Sequence, residues 1–239
     1  ETSGQKLLKE IVEIGNDNLL VKLVLLMGFF YSKKADYKQA LEFFHLGLEK
    51  AEENKLILLK LYQNIGSCFS RIGQKDKALI NLNKALSIGR LINDVGGCCK
   101  LANDIAGIYQ SSEEYEKSLR MYKESFESAE LLGDEKQMGL VLYNIAFILF
   151  LQEDFEQAVT NLEKSKKISN KISDYSGLSF SNDLLGDIMY RKGEYTKAEG
   201  IYLENLDFQK KIQDNEGLAH TYGNLGNIAI EKKEFDEAE

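Results

Sequence analysis

The side chains of this 239-residue sequence that could do chemistry are few and scattered. His45 and His220 are its only histidines, and neither has a cysteine or carboxylate partner at metal-ligand spacing. Cys68, Cys98 and Cys99 are an odd set with two adjacent members, a poor disulfide framework. They read as reduced, partly buried thiols of a cytoplasmic protein. Carboxylate pairs such as Glu113 and Glu114 are plentiful, but they fall on polar, solvated turns. There is no P-loop, no G-x-S-x-G, no H-E-x-x-H and no glycine-rich phosphate loop after a strand. The expectation is therefore a protein without catalysis, metal or cofactor, whose function lies in binding.

Composition narrows the partners. The chain is 44% hydrophobic and 28% charged, the balance of a folded protein rather than a disordered one. Its formal net charge of −8 disfavours nucleic acid and anionic membranes, which need a basic surface. The most apolar run, "LLVKLVLLMGFFY" at 19–31, has 13 residues and contains Lys22, too short to span a bilayer. The opening "ETSGQKLLKE" lacks the pattern of a signal peptide. The chain does not begin with Met and stops at "EFDEAE", where a new helix should start. It reads as a piece of a longer protein, or as one whose disordered ends are missing.

The elements that must position any binding residues announce themselves by repetition. Gly28, Gly66, Ala106, Ala146, Gly186 and Gly226 are spaced 38, 40, 40, 40 and 40 apart. Twelve residues after each comes Ala40, Ala78, Ser118, Ala158, Ala198 or Ala238. An aromatic stands three before the second small residue at Tyr37, Tyr115, Phe155, Tyr195 and Phe235; only Lys75 breaks that column. In the second unit Tyr62, Ile65, Gly66 and Phe69 form one helical stripe, and Ala78, Leu82, Ala85 and Leu86 form another. The polar break from Gly73 to Asp76 separates them, which predicts two antiparallel helices joined by a short turn. The small residues then mark where paired helices cross, leaving room for close approach. Asp94, Asp134, Asp174 and Asp214, each just before a first helix, are expected N-caps, and "DEKQ" at 134–137 has capping-box spacing. Proline is absent, so no helix is kinked by one.

Small residues twelve apart with an aromatic between them resemble the tetratricopeptide repeat, whose usual period is 34 residues. The tryptophan and terminal proline of its common consensus are missing. The 40-residue period, the "N-[LI]-G" opening and the Asp-capped joins resemble a longer-helix branch. That branch includes Pins-type polarity adaptors, kinesin light chains and Rap-type bacterial peptide-responsive regulators. The resemblance implies an all-α, right-handed superhelical solenoid, with first helices lining a concave groove and second helices outside. One continuous array over 1–239 is expected. Its repeats start near 17, 55, 94, 134, 174 and 214, the last one is truncated, and residues 2–14 form a second helix without its partner.

The groove is where binding should occur. With the small residues facing the partner helix, positions two before, one after and four after should face inward. The column two before reads Leu26, Asn64, Asp104, Asn144, Leu184 and Asn224. In repeats similar to these an asparagine there hydrogen-bonds the backbone of an extended peptide. That role carries to Asn64, Asn144 and Asn224, with Asp104 a charged variant and Leu26 and Leu184 interruptions. An amide suits the role because it both donates and accepts; the competing reading is that these amides only bond neighbouring helices. Lys60, Lys100 and Arg71 either steer an acidic or C-terminal carboxylate into the N-terminal half or are ordinary surface cations. Tyr143, Phe147, Phe150, Phe180 and Tyr190 are either an exposed binding patch or rings packed between adjacent first helices. In the first unit Leu25, Leu26 and Phe29 are also apolar on the groove side. The expected function is a scaffold or adaptor that binds a peptide or helix of a partner protein. The alternative is a regulator gated by a signalling peptide. Open solenoid ends add the prospect of end-to-end self-association.

Overall fold

A computed structural model describes residues 17–51 and 54–238. Among them are eleven helices and no strand: α1 (Asp17–Lys33), α2 (Tyr37–Lys50), α3 (Lys55–Arg71), α4 (Lys75–Leu91), α5 (Val95–Ser111), α6 (Tyr115–Leu132), α7 (Glu135–Leu151), α8 (Phe155–Lys171), α9 (Tyr175–Arg191), α10 (Tyr195–Ile212) and α11 (Asn215–Ala238). The expected orphan helix at 2–14 lies outside the described residues. No described helix is long and apolar enough to cross a membrane.

The chain divides into two compact units, residues 1–121 and 122–239, with the boundary inside α6. In the first unit α1 packs on α2 and α3 on α4, and each hairpin stacks on the next element. The second unit repeats the scheme with α7 on α8 and α9 on α10, followed by α11. First helices also touch one another, α1 with α3 and α7 with α9, so each unit has one face made only of first helices. This is the all-α solenoid of antiparallel helix pairs that the sequence implied.

The periodic small residues sit at the crossings. A Cβ on Gly28 would lie 2.4 Å from the Phe44 ring, and one on Gly186 would lie 2.4 Å from the Tyr202 ring. Large side chains from the second helices therefore fill the space that glycine vacates. Around these crossings Phe44, Leu61 and Ile65 form one core, and Leu82, Leu86, Leu101 and Ile105 another. In the second unit Leu162, Leu184, Leu185 and Ile188 pack together, followed by Ala198, Tyr202 and Ile228.

The joins repeat at the level of single hydrogen bonds. The N–H at the end of a turn reaches back five residues, as from Gln74 to Phe69, Asp94 to Gly89 and Asp154 to Leu149. That is the bond of a Schellman motif, and it places one residue in the left-handed region. Glycine holds that place at 73, 133 and 193, but Asn93, Glu113, Glu153 and Ser173 hold it with φ of 56–61°. Asp94, Asp134, Asp174 and Asp214 each accept from the backbone N–H three residues on, as expected of N-caps. Asp36, Asn54 and Asp154 do the same. At the expected capping box the Asp134 N–H is already committed to the Ala129 carbonyl, so the turn bond takes the place of the reciprocal half.

One boundary departs from expectation. The sequence register puts a turn near 233 and a new helix at 235, but α11 runs unbroken from Asn215 to Ala238. Lys233 and Glu234 stand where earlier turns have the left-handed residue and the cap, and "EKKE" is strong helix-forming sequence. The wall opposite Gly226 is correspondingly open: a Cβ there meets nothing within 4 Å.

Candidate functional site

In the second unit α7, α9 and α11 build the first-helix face. Tyr143 on α7 meets Phe180 on α9, ring centroids 6.0 Å apart. Phe180 is 49% exposed and Leu140 is 44% exposed, so this apolar strip is open. Beside it lies a cavity of ≈ 240 Å³ lined by Leu140, Tyr143 and Phe180, with Gly139, Gly177 and Ser165 among its other walls. Phe147 is half-buried against Phe150. Phe150 itself is buried and covered by the Arg191 guanidinium, 4.4 Å from its ring centroid. Tyr190 is half-buried, tilted against Tyr195 with ring centroids 5.5 Å apart, with its hydroxyl donating to Glu231 at 3.3 Å. The five aromatics thus divide: Phe180 and Tyr143 border open space, while Phe150 belongs to the core.

The amides divide as well. Asn144 and Asn224 are both half-buried on this face. The Asn224 Nδ2 is buried and has no hydrogen bond of good geometry; it stands near the Tyr202 hydroxyl, whose pKa is raised by burial and by Asp187, with Asn224 opposing weakly. Leu184, in the same column, turns inward and is buried. The groove position on α9 is taken by its neighbour Asp183.

Asp183 and Asp187, one turn apart on α9, are the polar centre of this face, and sequence reasoning did not single them out. Asp183 Oδ1 accepts from Asn205 Nδ2 of α10 at 2.6 Å and from the Thr221 hydroxyl of α11 at 3.3 Å. Thr221 in turn accepts from Gln209 Nε2 at 2.9 Å. Asp187 Oδ1 accepts from the Tyr202 hydroxyl at 2.6 Å. Asn205, Gln209 and Thr221 have no exposed surface. Burial pushes the Asp183 carboxyl up to about 6; the Asp187 charge adds to the rise, while His220 and the hydrogen bonds from Thr221 and Asn205 oppose it. Tyr143 is raised by burial first and then by both aspartates, which places its hydroxyl in their field. The signal was present: Asp187 lies in the column one after the small residue, and Asp183 lies in the column that holds Tyr143.

In the first unit the polar positions are more open. Lys60, Arg71, Lys100 and Asp104 are exposed, and Asn64 is half-buried. Asn64 Nδ2 donates to the Lys60 carbonyl at 2.7 Å, a local bond onto its own helix. Asp104 is exposed by surface area yet hemmed in by surrounding protein. That crowding raises its carboxyl, against the pull of a hydrogen bond with Asn103. Leu26 and Phe29 are 66% and 52% exposed, and Leu25 packs partly into the core. Cys68, Cys98 and Cys99 are buried and form no disulfide among the described residues. Among the described residues no three His, Cys, Asp or Glu side chains converge as metal ligands.

Comparisons with known proteins agree with this architecture. Tetratricopeptide repeat models match residues 59–88, 98–171 and 137–211. A comparison with curated protein sequences finds no match. Among solved structures, BtubC from P. vanneervenii is 19% identical with a TM-score of 0.75, covering 89% of this chain and 90% of its own. The apo form of RapI is 18% identical with a TM-score of 0.82, covering 90% of this chain. A Rap protein complexed with Competence and Sporulation Factor is 18% identical with a TM-score of 0.69, covering 98% of this chain. This chain spans 61% of RapI and 68% of the complexed Rap protein. At such identities the likeness is one of fold. Repeat register, crossing glycines and family models coincide, and the chain belongs to the tetratricopeptide repeat family.

Proposed function

We propose that the chain is a non-enzymatic interaction module that binds an extended peptide or helix of a partner protein on its first-helix face, as a scaffold or adaptor. The observation that carries this reading is the open apolar strip of Leu140, Tyr143 and Phe180 with the cavity beside it. An exposed aromatic strip suits a peptide, which brings apolar side chains to it. Preformed helices require little ordering on binding. In the first unit Asn64 and Asp104, flanked by Lys60 and Lys100, would serve the same role on that unit's own first-helix face. The buried thiols, outside any disulfide among the described residues, suit the reducing cytoplasm.

The test is selection of random-sequence hexapeptides on the whole chain, followed by calorimetry of the recovered peptides. Asn144→Ala with Asn224→Ala should weaken binding at least tenfold while the melting temperature stays within a few degrees. Peptides that bind the double variant as tightly as the parent would place the contact elsewhere.

A second reading, a regulator gated by a signalling peptide, is favoured by the likeness to a Rap protein complexed with Competence and Sporulation Factor. Small-angle scattering with and without a selected peptide separates the two: a gated regulator changes its dimensions, an adaptor does not. End-to-end self-association, suggested by Tyr222 and Ile230 standing 55% and 59% exposed on the last helix, is checked by light scattering across a dilution series.

A further inference from the structure

Asp183 and Asp187 are held in a setting where nearly every spare polar atom is an acceptor. Both hydrogen bonds to Asp183 fall on Oδ1, and the Tyr202 bond to Asp187 also falls on Oδ1. Each carboxylate keeps its second oxygen. Behind them the Asn205 side chain, with no exposed surface, gives its Nδ2 to Asp183 and leaves its Oδ1 without a partner. Gln209, equally buried, gives its Nε2 to Thr221 and leaves its Oε1 unpartnered. Buried acceptors without donors are rare and costly, and two carboxylates one turn apart repel. Among the described residues the basic side chain that acts on Asp183 is His220, which is itself exposed. The cluster lacks a positively charged donor.

Resting on the peptide-binding reading above, we propose that Asp183 and Asp187 form a subsite for a cationic side chain of the bound peptide, best fitted by arginine. A guanidinium offers several donors in one plane, matching two carboxylates whose buried amide neighbours supply no charge of their own. Its flat face also suits the aromatic wall: Phe180 stands one turn before Asp183, and Tyr143 meets Phe180. An organic cation fits better than a metal ion, since the cluster lacks the third convergent ligand a metal site needs. The chain's net charge of −8 favours the approach of such a peptide.

The experiment is parallel selection of random hexapeptides on the whole parent chain and on Asp183→Asn/Asp187→Asn, with melts of both. The substitutions keep an oxygen for the Asn205, Thr221 and Tyr202 bonds and remove only charge. Arginine or lysine should be enriched on the parent and lost on the variant, and citrulline in place of the selected arginine should weaken binding at least tenfold. On the parent, affinity for the selected peptide should rise between pH 5 and 7.5 as Asp183 ionises, a readout that stands even where the variant folds poorly. Peptides that bind this face, as judged by loss with Phe180→Ala, but show no basic preference or no pH dependence overturn the subsite and leave the peptide reading intact. If the parent retains no peptide at all, the binding face itself is wrong and the subsite falls with it.

Discussion

An aspartate in an unfolded chain titrates near pH 4, whereas Asp183 in the fold titrates at about 6. Between those values the native state holds a proton that the unfolded state has released. Stability therefore falls as pH rises through that window and levels off above it. The span corresponds to at most about 3 kcal/mol, and less once solvent near the half-buried side chain is counted. Asp183→Asn should thus melt higher than the parent at pH 7, and its melting temperature should change less between pH 4 and 6. Melts across that range check both; a variant that melts lower at pH 7 would mean the carboxylate stabilises the fold. A charge kept at a cost to the fold marks a place where function outranks stability. Sequence reasoning missed it for a geometric reason. The small-residue register says which helix face meets the partner helix, but successive residues differ by about 100° around the axis. Leu184 and Asp183 compete for the groove side, and the packing of α9 against its neighbours turns Leu184 inward.

At the scale of the helix, one column of small residues predicts opposite effects at two sites. Gly186→Ala puts a methyl 2.4 Å from the Tyr202 ring, and overpacking of this kind costs about 1–3 kcal/mol. Gly226→Ala meets open space, so only the helix-propensity gain of about 1 kcal/mol remains. Denaturant melts of the two variants should move in opposite directions; equal losses would mean that a second wall closes over α11. The turns make a matching case. Glu153 holds a left-handed conformation that costs a non-glycine residue about 1–2 kcal/mol, while the equivalent Gly193 adopts it freely. Glu153→Gly should raise the melting midpoint and Gly193→Ala should lower it. Helix limits were legible to within a residue or two because apolar period and small-residue spacing agree, with Asp caps at most joins; Gln74 and Glu194 stand at joins without one. The exception is the last join. Lys233 stands where Gly73 and Gly193 turn, within the helix-forming run "EKKE", and α11 continues where repetition alone called for a turn.

For the molecule as a whole, repetition made the fold readable while leaving the ligand open. Successive hairpins cross at small residues and turn at the same register positions, so those columns stand out. Binding positions differ from repeat to repeat, Tyr143 giving way to Asp183 and Phe147 to Asp187, and no period reveals them. That variation carries the final prediction. A chain with a net charge of −8 should attract a basic peptide over a distance set by ionic screening, about 10 Å at 0.1 M salt and about 3 Å at 1 M. Long-range attraction acts on the encounter, whereas contact with Asp183, Asp187 and Phe180 governs departure. For an arginine-bearing peptide selected on this chain, the association rate should fall several-fold between about 0.05 and 0.5 M salt, with a much smaller change in dissociation. The same peptide with citrulline should show a weaker salt dependence and a faster dissociation. Stopped-flow fluorescence on the intact chain measures both rates. Equal salt slopes for the two peptides would mean that the charge at Asp183 and Asp187 takes no part in recognition.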